Sequence, residues 1–172
     1  MRWHISHRAD PQVVPIADRH YNRQKIGSPQ FAPPGSCRVL KYAPEGIVKA
    51  FWITSAPYAE FVKHAWPGAW VCSAFRNETR EQSSELIREA LAASVAVYGL
   101  VPDRGIVTFV DPKKVPGVCV RGERVYGYCF LKAGFRHVGF TKGRLWAWML
   151  DAPDFPEPMY PLGHYHSEPS LF

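Results

Sequence analysis

The sequence has no long apolar run and no paired cysteines. No stretch approaches the roughly 20 uninterrupted apolar residues of a membrane-spanning helix, and residues 1–14 lack the apolar core of a secretory signal. The cysteines show no CxxC spacing of the kind found in zinc and redox motifs: Cys37, Cys72, Cys119 and Cys129. We therefore expect a cytoplasmic protein with reduced thiols and no membrane contact.

Internal repeats are also missing, and the length leaves room for one domain of ordinary size. The chain has 172 residues, of which 47% are hydrophobic and 14% aromatic, so it should fold around a core of its own. Its net charge is +6, which favours a polyanionic partner such as nucleic acid, because bringing Lys and Arg against phosphates releases counterions. Many basic proteins bind no nucleic acid, so charge alone does not decide the matter.

Hydrophobic patterning predicts a sheet with flanking helices. Residues 37–43 and 46–56 read as strands joined at a Pro-Glu-Gly turn, residues 83–99 as a helix, and residues 105–110 as a strand buried on both faces. Further strands are predicted over 69–75, 136–142 and 144–150, and a short helix over 128–135. The strand, helix and strand over 69–110 imply one parallel pair.

Less regular segments flank these elements. Residues 1–36 are polar and proline-containing and predict a short helix followed by an ordered loop on the substrate side. Residues 111–127 are basic and contain glycine, as functional loops often do. We expect one catalytic domain over residues 1–150 and a proline- and aromatic-rich tail over 151–172.

Two resemblances follow from these segments. The stretch YCFLKAGFRHVGFTKGRLWAWML resembles the last helix and final two strands of the GNAT acetyltransferase superfamily. The order of DRHYNRQKIGSPQF, AWPGAWVCSAFRNE, SSELIREAL, GIVTFVDP and KAGF is similar to the phage Mom-type DNA modification proteins, over roughly residues 18 to 142. The resemblance implies a GNAT-like α/β fold with a mixed, mostly antiparallel central sheet and flanking helices.

The same resemblance implies an activity. Mom-type proteins place a carbamoylmethyl group on the exocyclic N6 amine of adenine in DNA and so protect phage DNA from restriction. Double-stranded DNA and an unidentified group donor are then the expected partners. Acetyltransferases hold the coenzyme A pyrophosphate with a glycine-rich turn, whereas the matching segment here, RNETREQSS, has no glycine and carries Glu78 and Glu81. The donor is therefore left unknown, and conventional acetyl-coenzyme A use is not expected.

The segment from His20 to Phe31 is the predicted base-binding region. An adenine flipped out of a duplex must be stacked and hydrogen-bonded on its edge. We expect six residues to bind the substrate, five from this segment and one from another: His20, Tyr21, Asn22, Ser28, Phe31 and Asn77. The alternative is a solvated helix end followed by a proline loop.

The predicted catalytic groups follow the ends of apolar strands. Arg76 can hold an anionic donor, and either Glu78 or Asp111 can act as general base toward an amine. Arg76 and Glu78 can instead simply pair with each other, and Asp111 with Pro112 can form an Asx turn. Tyr128 is expected in the general-acid position that a tyrosine often fills in acetyltransferases.

Basic side chains complete the predicted interface. The expected DNA-binding residues are Arg23, Lys25, Lys113, Lys114, Arg121 and Arg124, and a solvated loop is the alternative for the last four. No metal site is predicted, because His164-Tyr165-His166 has no carboxylate or thiol at ligand spacing. Three functions stay open: a DNA adenine-modifying transferase, an N-acetyltransferase using acetyl-coenzyme A on a small amine or a protein, and a non-catalytic nucleic-acid-binding module.

Overall fold

A computed structural model describes residues 1–58, 60 and 62–164, which form a seven-stranded sheet, a two-stranded ribbon and three α-helices. The elements in chain order are β1 His4–Ser6, α1 Val14–Asp18, β2 Cys37–Tyr42, β3 Ala50–Ser55, β4 Trp70–Asn77, α2 Ser83–Tyr98, β5 Ile106–Val110, β6 Val118–Val120, β7 Glu123–Val125, α3 Tyr128–Lys132, β8 Arg136–Phe140 and β9 Trp146–Leu150. A 3-10 turn follows at Ala152–Asp154.

The strand order is β1-β2-β3-β4-β5-β9-β8. Every neighbouring pair is antiparallel except β4 and β5, which are parallel because α2 carries the chain across the sheet between them. The predicted mixed, mostly antiparallel α/β fold with flanking helices is confirmed. No helix in the described ranges has the length and apolar character needed to cross a membrane.

The predicted β2–β3 hairpin and the predicted helix are both present. The connection at Pro44-Glu45-Gly46 turns with Gly46 at φ 78°, a left-handed conformation that glycine adopts at little cost. Helix α2 ends at Gly99, whose N–H donates to the carbonyl of Val95 at 2.8 Å. Leu86, Ile87 and Leu91 of this helix are fully buried against one face of the sheet.

The two faces of the sheet pack against different helices. The face that carries Trp52, Cys72 and Ile106 packs on α2 and α3. The opposite face, with Phe51 and Ile53, packs on α1. Thr54 is buried between the sheet and α2. Its hydroxyl accepts a hydrogen bond from Trp52 Nε1 at 2.6 Å and shares another with the Ser94 hydroxyl at 2.8 Å. Thr54 and Ser94 are thus buried with their hydroxyl groups hydrogen-bonded.

Three features were not predicted from the sequence. Strand β1 pairs with β2 at one edge of the sheet. The basic segment 111–127 contains the β6–β7 ribbon, which is separate from the main sheet. Leu162 of the tail pairs with β1: the N–H of Ile5 donates to the carbonyl of Leu162, and the N–H of Leu162 donates to the carbonyl of Trp3, each at 2.9 Å.

Candidate active site

The parallel strands β4 and β5 separate part of the way along their length. Their pairing joins Trp70, Val71 and Cys72 to Ile106, Val107 and Thr108 and continues no further. At the same place β4 has a bulge, because Thr54 faces Cys72 while Ile53 faces Ala74, which leaves Ser73 as the extra residue. The sheet therefore opens into a gap beyond Cys72.

A cavity of about 340 Å³, here called the central cavity, occupies this gap on the side of α3. Cys72, Phe75, Thr108 and Val110 line it from the two strands. The start of α3 contributes Tyr128, Cys129 and Phe130. The volume lies at the lower end of the range for small-molecule sites.

A second cavity of about 290 Å³, here called the lateral cavity, lies on the opposite face of the sheet, where Val71, Phe109 and Leu145 line it with Asp111 and Lys114. Five residues line both cavities: Tyr21, Asn22, Cys72, Ser73 and Phe109. The two cavities therefore adjoin at the gap between β4 and β5. A reactant in one can meet a reactant in the other there.

The segment after α1 covers the free edge of β4 in the gap. Asn22 Nδ2 donates to the carbonyl of Ser73 at 2.8 Å, and His20 Nε2 lies 3.0 Å from the carbonyl of Phe75. The Asn22 N–H donates to His20 Nδ1 at 3.2 Å, so the proton of the neutral imidazole is on Nε2. Side chains thus replace the strand partner that β4 lacks beyond the bulge.

Burial sets the protonation of several groups in the gap. It lowers the pKa of His20 and raises the pKa of Tyr21, whose ring stacks on His20 at 4.7 Å between centroids. Burial also raises the pKa of the Cys72 thiol and raises that of Cys129 to about 11. Both thiols are therefore protonated at neutral pH, and neither is an activated nucleophile.

Asp111 and Tyr128 lie at the two cavities, one at each. The Asp111 Oδ1 accepts the N–H of Lys113 at 2.9 Å, which is the Asx turn considered as an alternative, and the residue still lines the lateral cavity. Tyr128 lines the central cavity, and Lys132 Nζ lies 5.9 Å from its ring centroid. The structure therefore keeps both residues among the candidates for proton transfer.

Arg76 and Glu78 form an ion-pair cluster with Arg19. The Glu78 carboxylate accepts from Arg19 Nη2 at 2.8 Å and from Arg76 Nε at 2.5 Å. Hydrogen bonds from Arg19, followed by those from Arg76, lower the pKa of Glu78 to about 2. A carboxylate with so low a pKa is a weak base. Neither residue lines the central or the lateral cavity, so their catalytic roles stay predictions.

Asn77 organises the connection from β4 to α2. Its Nδ2 donates to the carbonyl of Glu81 and the hydroxyl of Ser83, and its Oδ1 accepts the N–H and hydroxyl of Thr79. Thr79 Oγ1 in turn accepts the N–H of Glu81 at 3.0 Å. The side chain is thereby used within the connection and not in a cavity.

The loop over residues 23–31 is held from inside by Arg23. Its guanidinium bonds Asp18 at 2.9 Å and the carbonyls of Gln30 and Ser28, and only 7% of the side chain is exposed. Phe31 packs edge-on against Phe51 and, with Asn22, lines a third cavity of about 330 Å³ on the α1 face. Ser28 takes part through its backbone, and Lys25 is exposed beside it.

The remaining predicted DNA-binding residues are on the surface. Lys113, Lys114, Arg121 and Arg124 are exposed, and neither these four nor Lys25 appears in an ion pair of the described part of the chain. Lys114 also lines the lateral cavity. In the His164-Tyr165-His166 motif, Tyr165 and His166 lie outside the described residues.

Sequence reasoning missed Cys72, Thr108 and Phe109 as parts of the site. The predicted parallel pair placed these residues side by side, but separation of the strands depends on the Ser73 bulge. The sequence around Ser73 carried no signal of the bulge, because residues 69–75 are mostly apolar and the extra residue is seen only in the pairing with β3.

The strand order and the single parallel pair that separates midway define the GNAT fold. The structure is similar to an aminoglycoside 6'-N-acetyltransferase from Enterococcus faecium, with a TM-score of 0.59 and 12% identity over 92% of this chain and 100% of that one. It is also similar to an aminoglycoside acetyltransferase AAC(6')-Ib in complex with coenzyme A and kanamycin. The TM-score is 0.58 and the identity 12%, over 89% of this chain and 96% of that one.

A putative acetyltransferase of the GNAT family from Desulfovibrio desulfuricans gives a TM-score of 0.51 with 12% identity, over 87% of this chain and 99% of that one. No protein-family model matches the sequence, and no curated protein matches it. At these identities the likeness is one of fold. The Mom-type specificity for DNA stays a prediction.

Proposed function

We propose that the protein is an N-acyltransferase-type enzyme, in which a group donor occupies the central cavity and an amine acceptor enters through the lateral cavity. The observation that carries this proposal is that the two cavities lie on opposite faces of the sheet and adjoin at the gap between β4 and β5. The solved structures of similar fold support the same class of reaction, because they are structures of acetyltransferases, one of them putative.

The residues at the two cavities suit the proton transfers of such a reaction. The amine nitrogen forms a bond to the transferred carbon, which is the carbonyl carbon of an acyl group or the methylene carbon of a carbamoylmethyl group, while the bond from that carbon to the leaving group breaks. Asp111, at the lateral cavity, takes the proton that the amine loses, through Oδ2, since Oδ1 is engaged by Lys113. Tyr128, at the central cavity, donates a proton to the leaving group. Asn22 and His20 hold β4 and the α1 segment together around the reacting atoms.

Coenzyme A fits this site only in part. The central cavity is lined mostly by apolar groups, which suits the arm of a pantetheine thioester. The connection over residues 78–82, where a pyrophosphate would lie, does not fit: the N–H groups of Thr79 and Glu81 already bond to side chains of the same connection. Glu81 and Glu85 also place negative charge there, paired with Arg2. The donor is therefore recognised through its arm and acyl group.

Adenine in DNA is the acceptor that the basic surface favours. Lys114 lines the lateral cavity and Lys113 lies beside it, both exposed and without ion pairs in the described part of the chain. Phosphates flanking a flipped base would meet these charges. The resemblance to Mom-type proteins supports the exocyclic N6 amine as nucleophile and a carbamoylmethyl or small acyl group as the cargo. A small amine or a protein amine is the alternative acceptor.

The test is to incubate the purified protein with acetyl-coenzyme A or acetyl-pantetheine and with one acceptor at a time: duplex DNA, an aminoglycoside, or a lysine peptide. The products are identified by mass spectrometry. In a second experiment, mass spectrometry of nucleosides from cells that express the protein distinguishes an acyl adduct from a carbamoylmethyl adduct. We expect modified adenine and a similar affinity for both thioesters. Modification of the aminoglycoside or peptide alone would replace DNA as acceptor, and no product with any acceptor would overturn the proposal.

Two variants test the proposed roles. Removing a general acid or base lowers kcat by about 10²- to 10⁴-fold, so Tyr128→Phe and Asp111→Asn should lose activity on that scale while still binding DNA. Tyr160→Phe is the control, because Tyr160 lies in the tail away from both cavities. An Asp111→Asn variant with full activity at all pH values would remove Asp111 from the mechanism.

A further inference from the structure

A fourth cavity, of about 510 Å³, lies between the loop over residues 62–66 and the turn that joins β8 to β9. It is lined by Lys63, His64, Trp66, Phe140 and Lys142, with small residues between them, and we call it the aromatic cleft. We propose that the aromatic cleft binds a nucleotide of the DNA strand that flanks the target base. This inference rests on the proposed function in its DNA form.

Aromatic rings dominate the walls of the cleft. The His64 and Trp66 rings lie 6.1 Å apart between centroids, and Phe140 is 57% exposed although it is a large apolar side chain. The Phe140 ring contacts His137 and Trp146 edge-on, yet it keeps a large exposed apolar surface. A nucleobase gains free energy by stacking on such a ring. The cleft therefore offers a base the contacts that the fold itself leaves unmade.

Charge identifies the kind of partner. Lys63 and Lys142, one on each side of the cleft, are both exposed, and neither appears in an ion pair within the described ranges. An apolar peptide would leave these two ammonium groups without a counter-charge. A nucleotide supplies a phosphate for them together with a flat base for the rings.

His64 adds a hydrogen-bond donor. Its Nδ1 accepts the N–H of Trp66 at 3.0 Å, so the neutral ring carries its proton on Nε2. Burial lowers the pKa of His64, which favours this neutral form. Among the described residues Nε2 is a buried nitrogen with no partner, an arrangement that costs free energy until an acceptor is supplied. An unmet donor on a residue that lines the cleft favours a ligand with acceptor atoms, such as a nucleobase.

The position of the cleft matches its proposed use. The His64 ring lies 5.2 Å from that of Phe109, which lines both the lateral and the central cavity. One aromatic ring thus separates the cleft from the place where the target amine would react. A base in the cleft and a base in the lateral cavity would be close neighbours along one strand.

The experiment uses the full chain and a single-stranded oligonucleotide that contains 2-aminopurine next to an adenine. Stacking in the cleft should quench the 2-aminopurine emission on binding. Phe140→Ala should abolish the quenching and weaken binding by about 5- to 100-fold. Ile47→Ala, which removes another exposed apolar side chain that does not line the cleft, is the matched control and should change neither.

Salt dependence tests the phosphate contact separately. Lys142→Ala should reduce the slope of log affinity against log salt by about 0.7, the value for one contact to a single strand. Lys49 lines none of the four cavities described above, so Lys49→Ala is the control and should leave the slope unchanged. Unquenched binding by the wild-type protein, or equal affinities of Phe140→Ala and Ile47→Ala, would overturn the subsite. Binding and quenching without any transfer to DNA would support the subsite and instead count against DNA as the acceptor.

Discussion

The contacts of Glu78 make the stability of the fold depend on pH, and the substitution Glu78→Gln tests this directly. One carboxylate oxygen accepts from Arg19 and the other from both Arg19 and Arg76. These hydrogen bonds lower the pKa of Glu78 from its ordinary value of 4.5 to about 2 in the folded chain. Glutamine keeps the size of the side chain and removes its charge.

The size of the effect follows from the two pKa values. Their difference corresponds to about 3 kcal/mol of stabilisation. The Arg19 side chain is 48% exposed, so solvent screens the pair, and we expect about 1–2 kcal/mol. Because the folded-state pKa is the lower one, this stabilisation is fully present above the unfolded-state value of 4.5 and is lost as the pH falls toward about 2.

The free energy of unfolding of the wild type and of Glu78→Gln is measured in urea at about pH 7 and again at about pH 3. The lower pH lies in the range where the stabilisation by the Glu78 carboxylate is being lost. Glu78→Gln should be less stable than wild type at the higher pH. The difference in free energy of unfolding between the two proteins should become smaller at the lower pH. Glu45→Gln, at an exposed turn, is the control and should stay within about 0.5 kcal/mol of wild type. A Glu78→Gln variant with wild-type stability, or a gap independent of pH, would refute the reasoning.

Three further substitutions have outcomes that the packing sets. Thr54→Val should destabilise the fold by about 1–3 kcal/mol in urea unfolding, because Trp52 Nε1 loses its acceptor at 2.6 Å; a smaller loss would mean that water replaces it. Gly127→Ala should lower Tm and donor affinity together, since φ is 95° and a Cβ would lie 2.6 Å from Trp148 Nε1; an unchanged melting curve would contradict this. Phe31→Ala should lower the free energy of unfolding by about 1–3 kcal/mol in urea, because its ring packs edge-on against the buried Phe51; an unchanged free energy would show that this contact contributes nothing.

The sequence predicted the elements whose pattern is local. Helix α2 has a helical apolar period with Gly99 after its last residue, and the β2–β3 hairpin has a glycine at its turn, so both could be placed within a few residues. Strand β1 could not, because the pattern of three residues carries little information and its pairing depends on β2, more than 30 residues further along the chain. Its formation is a tertiary effect.

Several residues of the candidate site could be predicted from the sequence, but their arrangement in space could not. Tyr21, Asn22 and Asp111 were predicted from their chemistry and Tyr128 from the resemblance to acetyltransferases, and each of the four lines at least one of the two cavities that adjoin between β4 and β5. Glu78 has equally suitable chemistry but lies in an ion-pair cluster outside both cavities, because β4 extends past the bulge before that residue is reached. The sequence does not indicate where two paired strands separate.

The contact of Leu162 with β1 also has a consequence for how the molecule behaves in solution. An edge strand presents a row of free N–H and C=O groups, to which a strand of another molecule can add. Here the chain itself occupies the outer side of β1, through the bonds of Leu162 to Trp3 and Ile5. The tail thereby occupies backbone groups of β1 that another molecule could otherwise pair with, which disfavours edge-to-edge aggregation on this side of the sheet. Its prolines suit that task, since a proline-rich segment cannot itself offer a continuous edge.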